Sequence, residues 1–119
     1  MSVPEEPGCV ARAILDRVGG RWTVHILVAL HGTTLGYLEL ARRVSGISRR
    51  MLTRTLRELE RDGLVTRTEH PTRPVTVDYA LTPLAWELAE PLRAIAAWAE
   101  RNGEVVRAAQ QRYDAANPA

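Results

Sequence analysis

Residues 48–63, SRRMLTRTLRELERDG, place five arginines and three leucines in one short run. At helical pitch each residue turns about 100° around the axis, so Leu52, Leu56 and Leu59 fall within about 60° of one another. Arg50, Arg54, Arg57 and Arg61 fall within about 60° on the opposite side. The spacing therefore predicts a helix with one face built for a protein core and one built for an anion.

The charge of the whole chain supports that division. The 119 residues carry a net charge of +2, which looks bland until it is divided along the sequence. Residues 1–41 balance at −1 and residues 62–119 at −2, whereas residues 42–61 hold seven arginines against Glu58 and Glu60, a balance of +5. All the basic side chains are arginine and none is lysine, which favours bidentate recognition of phosphate or a guanine edge over diffuse attraction. A GC-rich genome would account for the absence of lysine but not for the clustering.

The remaining composition narrows the class. With 45% hydrophobic and 25% charged residues, the chain is globular and long enough for one domain with a modest core. No stretch approaches 18 apolar residues, so no membrane span is expected. The N-terminus, MSVPEEPG, lacks the basic-then-apolar pattern of a signal peptide. A single cysteine forms no internal disulfide, which points to the cytoplasm.

Around the arginine run, the pattern reads as helices and then a hairpin. CVARAILDRV (9–18) sets Val10, Ala13, Ile14 and Val18 on one face, before Gly19-Gly20. RWTVHILVALHG (21–32) is apolar nearly all round and reads as a central buried helix stopped by Gly32, with His25 and His31 in it and at its end. YLELARRV (37–44) repeats apolar residues at helical spacing. SGIS (45–48) is a glycine-containing turn whose Ser48 caps the arginine-bearing helix, and Gly63 stops that helix after Asp62. Helix, short turn and second helix make a helix-turn-helix.

LVTRTE (64–69) and VTVDYAL (75–81) are β-rich, the second alternating Val75, Val77, Tyr79 and Leu81, with HPTRP (70–74) between them. A two-stranded hairpin in this position is a wing. Thr82 and Pro83 then open another helix carrying Leu84, Leu88, Leu92, Ile95 and Trp98, with a kink expected at Pro91 and a further helix over 104–113.

Cys9, LDRVGGRWT (15–23), YLELARRVSGISRRMLTRTLRELERDGLVTR (37–67), VDYALT (77–82) and EPL (90–92) together resemble the HxlR family of winged helix-turn-helix transcriptional regulators, over roughly residues 9–100. The resemblance implies a homodimer, formed through the first and last helices, that binds operator DNA and usually represses. Three positions depart from the family pattern: Gly36 stands where a basic residue is common, Val10 replaces a proline, and Ala85 replaces a glycine. Cys9 matches an N-terminal cysteine that in some members senses quinones, aldehydes, hypochlorite or disulfide stress. The helix N-terminus and nearby Arg12 would favour its thiolate. With no second cysteine, its oxidation could give only an intersubunit disulfide, a mixed disulfide or an adduct. A lone cysteine also reads as a small inert hydrophobe.

The fold expected is mostly α with a small β-hairpin wing (α+β). It is a single winged helix-turn-helix domain over 1–119, with a DNA-binding core at about 20–82 and dimerisation helices at about 9–19 and 83–113. Ser48, Arg49, Arg50, Thr53 and Arg54 occupy the helix end that enters a major groove, where arginine pairs with guanine and hydroxyls reach bases or phosphates. Arg57 and Arg61 lie further along, toward the DNA backbone. Arg73 at the wing tip suits a minor-groove or phosphate contact, and Arg21 is a further candidate. Trp22, Trp86 and Trp98 read as core or dimer interface, or as the lining of a pocket for a small apolar effector. His25, His31 and His70 lack metal-ligand spacing, no cofactor motif is present, and no catalytic constellation is visible. The alternative is a winged-helix protein-interaction module that does not bind DNA.

Overall fold

The computed structural model describes residues 9–118, with side chains from Val10 onward. The N-terminal MSVPEEPG and the side chain of Cys9 lie outside them. In chain order the elements are α1 (Cys9–Val18), α2 (Arg21–Ala29), β1 (Leu35–Gly36), α3 (Tyr37–Arg43), α4 (Arg49–Arg61), β2 (Val65–His70), β3 (Thr76–Leu81) and α5 (Pro83–Ala116). The chain forms two compact units, one through Glu87 and one from Leu88.

The core of the first unit is built from the leucine face of α4. Leu52, Leu56 and Leu59 are fully buried, together with Ile26 and Leu30 of the α2 region and Leu40 of α3. Burying six such side chains is the main force that holds the three helices together, at about 1.5–3 kcal/mol each. Val65 and Leu64 join the core where the chain leaves α4, and Tyr79 closes it from β3.

Local chemistry sets the boundaries of α4. Ser48 has extended backbone, and its Oγ accepts a hydrogen bond from the Met51 amide at 3.1 Å. Such a cap satisfies one of the amides that a helix start leaves without partners, worth about 1 kcal/mol. Gly46 in the turn and Gly63 after the helix have φ of 91° and 77°, a left-handed conformation that side chains with a Cβ disfavour. Both expected punctuation marks are therefore present.

Four expectations need correction. The helix starting at Arg21 ends at Ala29, with Leu30 as its cap, and it is buried on one side only: His25 is exposed and Val28 is 60% exposed. A nine-residue helix against a small core cannot cover its whole circumference. The hairpin is part of a three-stranded antiparallel sheet, ordered β1-β3-β2, in which Leu35 pairs with Tyr79 and Gly36 with Asp78. A two-residue strand carries no alternation from which to predict it. Of the alternating set in β3, only Tyr79 is buried, and Val75 lies before the strand and is exposed.

Residues 104–113 do not form a helix of their own. They belong to α5, which continues through Pro91. Pro91 has no N–H for the Glu87 carbonyl, and the boundary between the two units falls at that glutamate. Thr82 caps α5 as expected, its Oγ1 accepting from the Ala85 amide at 3.3 Å. The same hydroxyl donates to the Gly63 carbonyl at 2.6 Å, tying the end of α4 to the start of α5. No helix among the described residues is long and apolar enough to cross a membrane.

Candidate nucleic-acid interface

The outward side of α4 is an open surface lined by Arg49, Arg50, Thr53, Arg54, Arg57 and Glu58. The leucines opposite are anchored, so this face is presented by a rigid backing rather than by a loose helix. Its thirteen residues span about 20 Å at 1.5 Å per residue. Arg49, Arg50, Arg57 and Arg61 are exposed, and among the described residues none of them pairs with a carboxylate. The arginine ridge is thus neither buried in the unit nor neutralised by it.

The two arginines of the basic segment that lie on α3 behave differently. Arg42 and Arg43 on α3 both pair with Glu39, Arg42 through Nε at 3.2 Å and Arg43 through Nε at 3.3 Å. The hydrogen bond from Arg42, followed by that from Arg43, holds the Glu39 carboxyl below its ordinary value. Glu39 therefore offsets one of the two charges at the end of α3, while α4 keeps five arginines against Glu58 and Glu60.

Arg54 is the exception on the ridge. It donates through Nε to Glu58 Oε1 at 3.2 Å, and the other Glu58 oxygen receives Arg17 of α1. Arg17 also donates through Nε to Asp62 Oδ2 at 2.6 Å. This chain of alternating charges links α1 to α4 across more than forty residues of sequence, and reading the sequence missed it because neither helix pattern signals the contact.

Tyr37 was likewise missed. Its hydroxyl donates to the Arg49 carbonyl at 3.2 Å and shares a hydrogen bond with Thr53 Oγ1 at 3.0 Å. A threonine hydroxyl has one donor and two acceptor lone pairs, so Thr53 keeps hydrogen-bonding capacity. Arg73 sits at the exposed tip between β2 and β3, where Thr72 Oγ1 donates to the Pro74 carbonyl at 2.8 Å. At the base of that tip, His70 Nε2 meets Asp78 Oδ2 at 2.8 Å across the two strands. Arg21 lies over the Trp22 ring, 4.7 Å from its centre.

The tryptophans are not core residues as a set. Trp22 is half-buried, while Trp86 and Trp98 are 45% and 54% exposed. Trp86 has the His31 ring 4.6 Å away, and Trp22 has the His25 ring at 5.8 Å. Among the described residues no His, Cys, Asp or Glu cluster is arranged to hold a metal ion.

Known proteins share both the pattern and the fold. A family model described as HxlR-like helix-turn-helix matches residues 17–107. The HTH-type transcriptional regulator YtfH of Escherichia coli is 42% identical over 94 residues, covering 79% of this chain and 75% of that protein. The solved structure of the transcriptional regulator ytfH from Salmonella typhimurium superposes with a TM-score of 0.80 at 36% identity, covering 89% of this chain and 99% of the other. The redox regulator HypR in its oxidised form gives a TM-score of 0.72 at 33% identity, covering 79% and 97%. A winged helix-turn-helix with an open arginine ridge, matched by a family model over most of its length, places this chain in the HxlR-like family of helix-turn-helix transcriptional regulators.

Proposed function

We propose that the protein is a cytoplasmic homodimeric repressor that binds a pseudo-palindromic operator through α4 and the wing. The observation that carries this reading is the leucine-backed ridge of α4, whose arginines at positions 49, 50 and 57 lack carboxylate partners among the described residues. Ser48, Arg49, Arg50, Thr53 and Arg54 enter the major groove, Arg57 holds the backbone, and Arg73 reaches a phosphate or the minor groove. The DNA-binding core is about 20–82, and the dimerisation helices are about 9–19 and 83–113.

Exposed apolar side chains support the dimer. On α1, Val10, Ile14 and Leu15 are exposed, and on α5 so are Ile95, Trp98, Val106 and Tyr113. Along α5, Leu92, Ile95, Ala99, Asn102, Val106, Ala109 and Tyr113 recur at alternating steps of three and four, the spacing of a seam between paired helices.

The test is retardation of the DNA upstream of the protein's own gene across a salt series, with sedimentation velocity to count chains. Four to six phosphate contacts per subunit predict affinity that falls steeply with salt, with a log–log slope of roughly −7 to −11 for the dimer. Absent or salt-insensitive binding would refute the reading and favour a protein-interaction module.

Cys9 opens α1, and a redox regulator is among the solved structures this chain resembles, which supports thiol modification as the switch. Diamide is expected to release the wild-type protein from DNA and to leave the Cys9→Ser variant bound. A serine variant that still dissociates would refute the thiol route and point to a small apolar effector.

A further inference from the structure

We propose that Glu58 determines base specificity by positioning Arg54, so that this arginine reads a base while its neighbours on the ridge hold phosphates. The inference rests on the reading of α4 as the DNA-contacting helix. It starts from an asymmetry: of the arginines on that helix, Arg54 is the one with a carboxylate partner among the described residues.

The carboxylate is itself held. Glu58 has one oxygen on Arg54 and the other on Arg17, and Arg17 is fixed a second time by Asp62. The side chains of Arg17, Glu58 and Asp62 are 21%, 32% and 21% exposed, so the anchor is half-buried while Arg54, at 73%, stays in the open. An exposed pair of this kind adds little to stability. Its effect is on geometry, because a guanidinium engaged through Nε loses much of its freedom to swing.

Engagement through Nε leaves the two terminal amino groups of Arg54 available as a pair, which is the fork that meets guanine O6 and N7. The same carboxylate offsets the charge of Arg54, so this side chain contributes less to phosphate attraction than Arg49, Arg50 or Arg57. One position on the ridge is thus built for orientation and the rest for charge.

The experiment uses the full chain and a pool of duplexes with a randomised core. The duplex enriched by the wild type is compared with each of its single-base-pair variants and with a random duplex. Arg54→Lys, which keeps the charge and loses the fork, marks the base pair that Arg54 reads. Glu58→Gln is expected to lose about tenfold or more of discrimination at that same symmetry-related pair, to bind random DNA more tightly, and to show a steeper salt slope. Glu58→Asp keeps the charge but shortens the reach, and it too is expected to lose the discrimination, with its salt slope unchanged. Arg17→Gln removes the anchor from α1 and is expected to reproduce the loss in part. Thermal unfolding of each variant establishes that it is folded.

Discrimination preserved in Glu58→Gln, or a uniform loss across enriched and random duplexes, would overturn the positioning role. So would a Glu58→Asp variant identical to wild type, since charge alone would then suffice. If the wild type enriches no duplex at all, the DNA reading itself falls, an outcome distinct from enrichment that Glu58 does not influence.

Discussion

Leu56→Ala is expected to destabilise the protein by about 2–5 kcal/mol and to lower its melting temperature by roughly 8–20 °C. Leu56 is 1% exposed and stands between Leu52 and Leu59, both fully buried, with Ile26, Leu30 and Leu40 as the rest of the tightly enclosed set. Removing its isobutyl group forfeits the transfer energy and leaves a void that three short helices close only partly. Small domains have about 5–15 kcal/mol of stability in total, so this loss is a large share. Calorimetry or chemical denaturation at matched protein concentration checks it. A change below about 1 kcal/mol would mean that the site repacks and that the backing of the arginine ridge is softer than described.

The second large effect is expected from replacing Arg49, Arg50 and Arg57 together with alanine. These side chains are exposed and lack carboxylate partners among the described residues, so the fold should stand. Alanine is also the better helix former. The net charge of +2 becomes −1 per chain. A dimer would lose six cations, and the log–log salt slope should shrink by about five. At 0.1 M salt the accompanying loss of affinity is on the order of a thousandfold or more, similar for all sequences. Retardation across a salt series, with circular dichroism for the fold, makes the comparison. An unchanged slope would show that phosphates are met elsewhere.

What could be read in advance was mostly local. The cap at Ser48, the stop at Gly63 and the split between leucine and arginine faces depend on residues within one helix and its ends, where spacing and side-chain chemistry are sufficient. Pairings between distant segments were not legible. β1 is two residues long and exists only because β3 lies beside it. Arg17 and Glu58 are 41 positions apart and meet only once α1 and α4 are placed. Pro91 was expected only to kink α5, and the continuity missed lay further on, where strong helix formers carry the same helix through 104–113 instead of starting a new one. Trp86 and Trp98, read from the sequence as core or dimer interface, are exposed in the single chain, because large aromatic rings signal burial without saying whether this chain or a second one provides it.

The α4 ridge has a consequence for how its charge can be altered. Guanidinium groups keep their proton at any pH a cell reaches. Lysine acetylation, a common way to discharge a basic surface, has no substrate in this chain, which contains no lysine. Moving the helix or holding it still is the control that suits a surface whose cations are not removed by that route.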